Sequence, residues 1–258
     1  MVLRPMGSGR DAKGCVRVWE AILPTQKTSA AEYWLITQPD HAALSGAIAA
    51  AFGPPLLPGL SPEVMRAIAL HDEGWAPFDA QLPLADGKPL SFVDFLPRDF
   101  LRAWQDSIER VREVSHLASA MVSRHFWRLA KSRLECGIDN AEDRKLLSDF
   151  LQTERARQER LLAGGSWEEF EFLTDILQFC DVLSLYLCCG AAQDVEFPQR
   201  FGQKPIRLHR ETARPQQAAV CRFEPSPFTS GGVDLAVSAR RFPSDRQPNA
   251  VTLPFLLY

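Results

Sequence analysis

Four side chains that commonly bind divalent metal ions fall where helical periodicity favours buried apolar residues. They are His41, His71, Asp72 and Asp181. His71 continues the apolar face of one predicted helix, Asp181 continues that of another, and His41 lies one turn inside a third. A buried carboxylate is costly unless it is paired or bound to a metal ion. Two imidazoles and two carboxylates that converge would carry two negative charges and suit a divalent cation.

The adjacent residues His71 and Asp72 limit where a shared ion can lie, and the mixture of ligand types limits which metal it can be. Successive helical residues point about 100° apart, so both side chains can reach one ion only at the edge of their helix. Asp72 is also predicted to orient an attacking water molecule, as a catalytic residue. Mixed nitrogen and oxygen ligands favour Mn, Fe, Zn, Co or Ni over Ca. The identity of the ion stays open, and no motif for another cofactor is present.

Six helices are predicted to position these residues. Thr37 is a candidate cap for the first, Ser61 precedes a proline at the start of the second, and Ser166 begins the sixth. A loop rich in Pro, Gly and Asp is predicted over residues 77–97. The predicted helices cover about residues 37–52, 61–74, 101–111, 115–133, 141–163 and 166–185.

The two terminal segments differ from this helical middle. Residues 1–36 contain β-like runs at 15–20 and 33–36, with a predicted loop at 24–31. Four further candidate strands, in residues 193–258, are 206–208, 218–223, 233–239 and 251–256. The expected fold is therefore mainly α: a helical bundle over 37–192, with a small antiparallel β-sheet formed by the N- and C-terminal segments. We expect one domain over 1–258, in which 1–36 and 193–258 form a β-rich appendage.

The composition is that of an ordinary cytoplasmic protein. The chain has 258 residues and a net charge of -3, which is too small to predict nucleic-acid binding. No stretch reaches the roughly 18 apolar residues of a membrane helix, and residues 1–10 lack the apolar core of a signal peptide. The six cysteines form no CxxC pair and are expected to be reduced thiols. We expect the protein to bind a small molecule, and we expect it to bind neither nucleic acid nor a membrane. A homodimer is possible.

The order of the candidate ligands resembles that of the HD-domain superfamily of metal-dependent phosphohydrolases. Four phrases are similar to an uncharacterised bacterial family within that superfamily: TQPDHA at 37–42, LHDEGW at 70–75, VSRH at 122–125 and CDVLSL at 180–185. The similarity covers about residues 35–190 and extends loosely into the tail, whereas residues 1–32 look like an extension or insertion. It implies an HD-domain-like helical bundle, a bound divalent metal and a phosphate-ester substrate, with nucleotides among the candidates.

Four more residues are candidates for the site. His125 lies on an apolar helical stripe and is interpreted as a second catalytic residue, either a second-metal ligand or a phosphate contact; the alternative is a structural core histidine. Gln38, Asp79 and Gln178 form a second tier. Gln178 lies three residues before Asp181 on the same helical flank, whereas Gln38 can instead belong to the helix cap and Asp79 can start a turn.

Three functional hypotheses follow from these residues. The first is a metal-dependent hydrolase acting on a phosphate ester, because a divalent ion activates water and polarises the phosphoryl oxygen. The second is a di-iron oxygenase of the HD type, in which His125 is the extra ligand. The third is a non-catalytic metal- or ligand-binding module, which residues 69–80 keep open because they contain no Lys or Arg to meet a phosphate.

Overall fold

Side-chain caps explain where most of the helices begin. Thr37, Ser61, Ser115, Asn140 and Ser166 each accept the backbone N–H three residues further on. The computed structural model describes residues 1–6, 15–163, 165–211, 218–229, 232–245 and 247–258. Its helices are α1 Val18–Lys27, α2 Gln38–Ala50, α3 Pro62–Leu70, α4 Ala76–Gln81, α5 Pro97–Arg112, α6 His116–Cys136, α7 Ala141–Leu161 and α8 Trp167–Cys189.

The strands form one large sheet and a separate hairpin. The hairpin joins β4 Leu84–Ala85 to β5 Lys88–Pro89. The large sheet has the order β1-β3-β9-β10-β8-β7-β6-β2. Its strands are β1 Val2–Pro5, β2 Val16–Arg17, β3 Tyr33–Ile36, β6 Val195–Glu196, β7 Arg207–Arg210, β8 Ala219–Glu224, β9 Val233–Phe242 and β10 Ala250–Leu257. The sheet is mixed, because β10 pairs with β8 and β2 pairs with β6 in parallel, whereas the other pairs are antiparallel.

The expected fold class was therefore wrong. A mainly α bundle with a small antiparallel sheet is replaced by a helical layer packed on an eight-stranded mixed sheet. Four of the five strands described after residue 193, β7 to β10, lie close to where alternation placed them, and β6 was not predicted. Alternation does not determine how strands pair over long distances in the chain. Of the terminal segments, residues 7–14, 212–217, 230–231 and 246 lie outside the described residues.

The segment before β3 departs most from expectation. The predicted strand at residues 15–20 is reduced to β2, and α1 replaces the first half of the predicted loop at 24–31. The apolar residues at 16 and 18 are too few to separate a period of two from a helical period. Gln26 of α1 is buried and hydrogen bonds both the backbone N–H and the carbonyl of Leu3, which fixes α1 against β1. The predicted loop at 77–97 likewise contains most of α4 and the β4–β5 hairpin.

A close approach between α2 and α3 sets the position of the candidate site. A Cβ added at Gly46 would lie 2.5 Å from the Cβ of Ala69, so only glycine lets these helices pack this closely. Helix α2 also packs against α8, and both helices contact the sheet through β9 and β1. These contacts hold the helices that carry the four candidate ligands.

Helix α8 is the one described helix that is long and apolar enough to cross a membrane by length and composition. However, 78% of its most apolar window is buried inside the molecule. Burial against other helices and the sheet is typical of a core helix in a soluble protein. The apolar character of α8 is explained by its central place in the core.

Candidate metal centre

Three helices bring the four predicted ligands together. His41 follows the first turn of α2, where Thr37 caps the helix by accepting the backbone N–H of Asp40 at 3.1 Å. His71 is the C-cap residue of α3, and Asp72 has left the helix, with φ -112° and ψ 18°. This change of direction allows both adjacent side chains to reach one point. Asp181 approaches the same point from α8.

The four side chains offer one ligand atom each within a small volume. These atoms all lie within 4.8 Å of one another. The Nε2 atom of His41 is 2.8 Å from Asp72 Oδ2, and the Nε2 atom of His71 is 3.4 Å from Asp181 Oδ1. All four residues are buried. The structure therefore places His41, His71, Asp72 and Asp181 in one cluster, with spacings that a single ion can bridge.

Hydrogen bonds on the far side of each imidazole fix its tautomer. The Nδ1 atom of His71 lies 2.8 Å from the carbonyl oxygen of Ile68, which can only accept, so Nδ1 carries the hydrogen. The Nδ1 atom of His41 lies 2.8 Å from the hydroxyl of Ser184, which already donates its own hydrogen to the carbonyl of Asp181. The Nε2 atom of each ring therefore faces the carboxylates of the cluster, where it donates a hydrogen bond when protonated and would bind a metal ion when deprotonated.

This arrangement requires a positive charge at its centre. The lone pairs of two imidazoles face two carboxylates, and such atoms repel each other unless a proton or a metal ion lies between them. Burial alone would lower the pKa of His71, but the carboxylates of Asp72 and Asp181 outweigh it and raise that pKa to about 9. The donor set and its electrostatics thus fit a divalent cation, with far-side hydrogen bonds that orient each histidine as in known metal sites.

His125 lies beside the cluster on α6. Its Nε2 atom is 3.8 Å from Asp181 Oδ2, and its ring stands edge-on to that of His71 with centroids 5.4 Å apart. Burial lowers the pKa of His125 to about 4, so its ring is neutral near pH 7. Its Nδ1 atom is buried and makes no hydrogen bond within the described residues. His125 is therefore placed to serve a bound ion or substrate from one side.

The second-tier candidates have three different positions. Gln38 is buried, and its Oε1 atom makes no hydrogen bond within the described part of the chain. The Asp79 carboxylate instead accepts the backbone N–H of Gln38 at 2.5 Å and lies 2.9 Å from the amino group of Met1. Gln178 accepts a hydrogen bond from Arg128. Of these three residues, Gln38 and Gln178 each line one of the two cavities that reach the cluster, and Asp79 lines neither.

Two cavities meet at Asp181. One, of about 380 Å³, includes Gln38, Asp72, His125 and Asp181 in its lining and is otherwise largely aromatic. The other, of about 710 Å³, is polar and includes Arg128, Gln178 and Asp181. A further cavity of about 800 Å³ lies between α1 and residues 196–200 and touches none of the four ligands. The cluster is thus accessible to small molecules from two sides.

Sequence reasoning missed the hydroxyl groups behind His41. The Ser45 hydroxyl lies 2.8 Å from the Ser184 hydroxyl and 3.1 Å from the carbonyl oxygen of His41, and it can donate its single hydrogen to only one of these two acceptors at a time. Both serines follow a ligand at helical spacing: Ser45 is four residues after His41, and Ser184 is three after Asp181. That spacing was the available signal. Trp19, which lines all three cavities, was also missed as a candidate site residue, because its segment was predicted as a strand.

The fold and the cluster define an α/β protein with a candidate metal centre between its helices. Residues 25–244 match the model of a family described as "Protein of unknown function (DUF3891)". This match covers most of the chain, and the protein belongs to that family. No curated protein and no solved structure matches the chain.

Proposed function

We propose that this protein is a divalent-metal-dependent hydrolase that acts on a phosphate ester. The observation that carries the proposal is the convergence of two imidazole Nε2 atoms and two carboxylates, a donor set that suits a divalent cation, at a point reached by two cavities. A divalent ion bound there would lower the pKa of a water molecule and polarise a phosphoryl oxygen. Hydrolysis places the water oxygen on phosphorus and breaks the P–O bond to the alcohol, whose oxygen takes up the proton that the water loses.

The residues of the cluster have distinct tasks in this proposal. His41, His71, Asp72 and Asp181 hold the ion, and Asp72, at the floor of the aromatic cavity, also orients the water molecule. His125 is neutral near pH 7 and faces the same cavity, so its ring can hydrogen bond the phosphate or the leaving oxygen. The accessible cavities favour catalysis over a closed binding module, whose site would have no open position.

The proposal also includes a superfamily for the protein and a cellular compartment. The order of the ligands on α2, α3 and α8 supports membership in the HD-domain superfamily of phosphohydrolases. All six cysteines are free thiols, which is typical of the reducing cytoplasm. The substrate is a small phosphorylated molecule.

The test begins with elemental analysis of purified protein, followed by assays with Mn on phosphate mono- and diesters. We expect about one or two equivalents of a transition metal, and hydrolysis that a chelator abolishes. The variant Asp181→Ala should lose both metal and activity, whereas Glu168→Ala, which removes an exposed carboxylate in the first turn of the same helix, should retain both. A variant Asp181→Ala that retains full metal content and activity would refute the proposal.

His125 favours a di-iron oxygenase as a second candidate. It adds a third imidazole, 3.8 Å from an oxygen of Asp181, to a cluster that otherwise contains two. Iron bound at two equivalents, with an optical band that appears on exposure to oxygen, would support this candidate over the hydrolase. Colourless protein that binds Mn or Zn tightly would contradict it.

A further inference from the structure

Aromatic residues form the walls of the smaller cavity, which we call the aromatic slot. They are Trp19, Trp75, Phe92, Phe95, Phe100, Trp104 and Phe126. Several rings support each other: Trp104 and Phe126 stack with centroids 4.9 Å apart, and Trp75 meets Phe95 edge-on at 5.3 Å. The slot is therefore a largely apolar surface, and the carboxylates of Asp72 and Asp181 belong to its lining; we call them its floor. Such surfaces bind rings and branched apolar groups.

Charges around the slot are unsuited to a polyphosphate. Among the described residues that line it, the cationic side chains are Lys27 and Arg133, and Arg133 is already paired with Asp139 at 2.6 Å. In the polar cavity, Arg128 is paired with Asp175 and Glu171. Each additional phosphate would bring negative charge towards the two carboxylates of the floor. The geometry suits a ligand with one phosphate group.

Trp19 lies where the cavities meet. It lines the aromatic slot and the polar cavity, as well as the outer cavity beside α1. Its helix, α1, begins within residues 1–24, which precede the segment matched by the family model. Trp19 is thus a wall of the slot that comes from outside the matched segment, and it borders both the slot and the polar cavity.

We infer that the substrate is an ester of a single phosphate with an aromatic or similarly apolar alcohol, and that Trp19 helps to set this specificity. This inference rests on the proposed hydrolase function. The phosphate lies at the metal centre, the apolar group fills the aromatic slot, and the released alcohol leaves from there. Trp19 acts as a specificity-determining residue and takes no part in the chemical step.

The first experiment compares leaving groups of similar chemistry. The Mn-loaded protein is assayed with ethyl phosphate, benzyl phosphate and benzyl diphosphate, whose first two members release alcohols of similar acidity. We expect kcat/KM to be at least about tenfold higher for benzyl phosphate than for ethyl phosphate, as for apolar groups in fitted pockets. We expect benzyl diphosphate to be the poorer benzyl substrate. Equal kcat/KM values for the ethyl and benzyl esters would overturn the inference and leave the hydrolase proposal standing.

The second experiment removes the side chain of Trp19 from the slot. Trp19→Ala should reduce the benzyl-to-ethyl ratio at least about threefold, a loss equivalent to part of one fitted apolar contact. Trp167→Ala is the matched control, because Trp167 is a partly exposed tryptophan at the start of α8 that packs on Arg155 and Phe170. It should leave the ratio unchanged. Thermal unfolding of both variants shows whether α1 stays folded, and Phe92→Ala tests the slot without altering α1. Unchanged ratios in both slot variants would refute the assigned specificity.

Binding of a non-hydrolysable ligand separates the two proposals. Benzylphosphonate and ethylphosphonate are titrated calorimetrically into Mn-loaded protein. If no ester is hydrolysed but benzylphosphonate binds about tenfold more tightly than ethylphosphonate, and Trp19→Ala reduces this preference, the ligand class stands and the hydrolase proposal fails. If the two phosphonates bind equally, the inferred ligand class is wrong, whatever the outcome of the assays.

Discussion

Two buried carboxylates show how a candidate metal ligand differs from a structural acid. Asp181 and Asp79 both belong to helices and are 4% and 3% exposed. The Asp181 carboxylate faces the Nε2 atoms of His71 at 3.4 Å and His41 at 4.0 Å. Without an ion, a proton on His71, whose pKa is raised to about 9, balances the negative charge of Asp181, and a bound metal ion would take the place of that proton.

Asp79 is balanced within the protein. One of its oxygens lies 2.9 Å from the Met1 amino group, and the other accepts the backbone N–H of Gln38 at 2.5 Å. Both partners are hydrogen-bond donors, so the charge of Asp79 is compensated without an ion. The two sites therefore predict opposite phenotypes: loss of metal with retained fold for Asp181, and loss of stability with retained metal for Asp79.

The largest expected effect is on metal binding by Asp181→Ala. Replacing residues that only orient ligands costs about 10–100-fold in affinity, and removing a ligand itself should cost at least about a thousandfold, or roughly 4 kcal/mol. Competition with a fluorescent chelator measures the affinity. The same titration with Asp79→Ala should give the affinity of the original protein. Equal losses in the two variants would remove the distinction between the two carboxylates.

Asp79→Ala should have the second-largest effect, on stability. Removing one partner of a buried ion pair leaves the other uncompensated and costs about 3–5 kcal/mol. Urea unfolding of the metal-free proteins measures the free energy of unfolding. Asp79→Asn should be less destabilised, because the amide oxygen can still accept from the backbone of Gln38. If metal-free Asp79→Ala is as stable as the original protein, the contacts of Asp79 do not stabilise the fold.

The cluster of four candidate ligands was predictable because metal-binding residue types interrupt local apolar patterns. His71 and Asp181 continue apolar helical faces, and such violations are detectable in a single sequence. Asp79 carries no comparable signal, since its partners are Met1, just before β1, and Gln38, at the start of α2, which are distant in the sequence. The sequence therefore left Asp79 and Gln178 in the same tier as Gln38, and only the fold separates their environments.

The sheet and the aromatic slot were less predictable for a related reason. Strand alternation located the C-terminal strands, but the parallel pairing of β10 with β8 and the joining of the N-terminal strands depend on long-range contacts. Trp19 lies in a segment whose alternation predicted a strand, but the segment forms helix α1, because packing against α8 and β1 favours the helix. The wall of the slot thus lies in the segment where local pattern and tertiary packing disagree.

Gly46→Ala tests whether the metal centre depends on helix spacing. The new Cβ would lie 2.5 Å from that of Ala69, so α2 and α3 must separate, and overpacking of this kind costs about 1–3 kcal/mol. His41 and His71 move with their helices, so metal affinity should fall with stability. Gly59→Ala is the control, because nothing lies within 4 Å of its added Cβ. A Gly46→Ala protein with unchanged metal affinity would show that the cluster tolerates a wider separation.

The smallest effect is expected from the hydroxyl behind His41. Ser184 accepts the Nδ1 hydrogen of His41 and so directs the Nε2 lone pair towards the ion. Ser184→Ala should lower metal affinity about tenfold, roughly 1.4 kcal/mol, at the low end for groups that orient a ligand. Thr174→Val is a matched control on the same helix, because the Thr174 hydroxyl donates to the carbonyl of Phe170, away from the cluster. It should leave metal affinity unchanged. Equal metal affinities for the two variants would show that helix packing alone orients His41. The predicted difference would mean that Asp181 shares its site with an orienting hydroxyl, a kind of partner that Asp79 lacks.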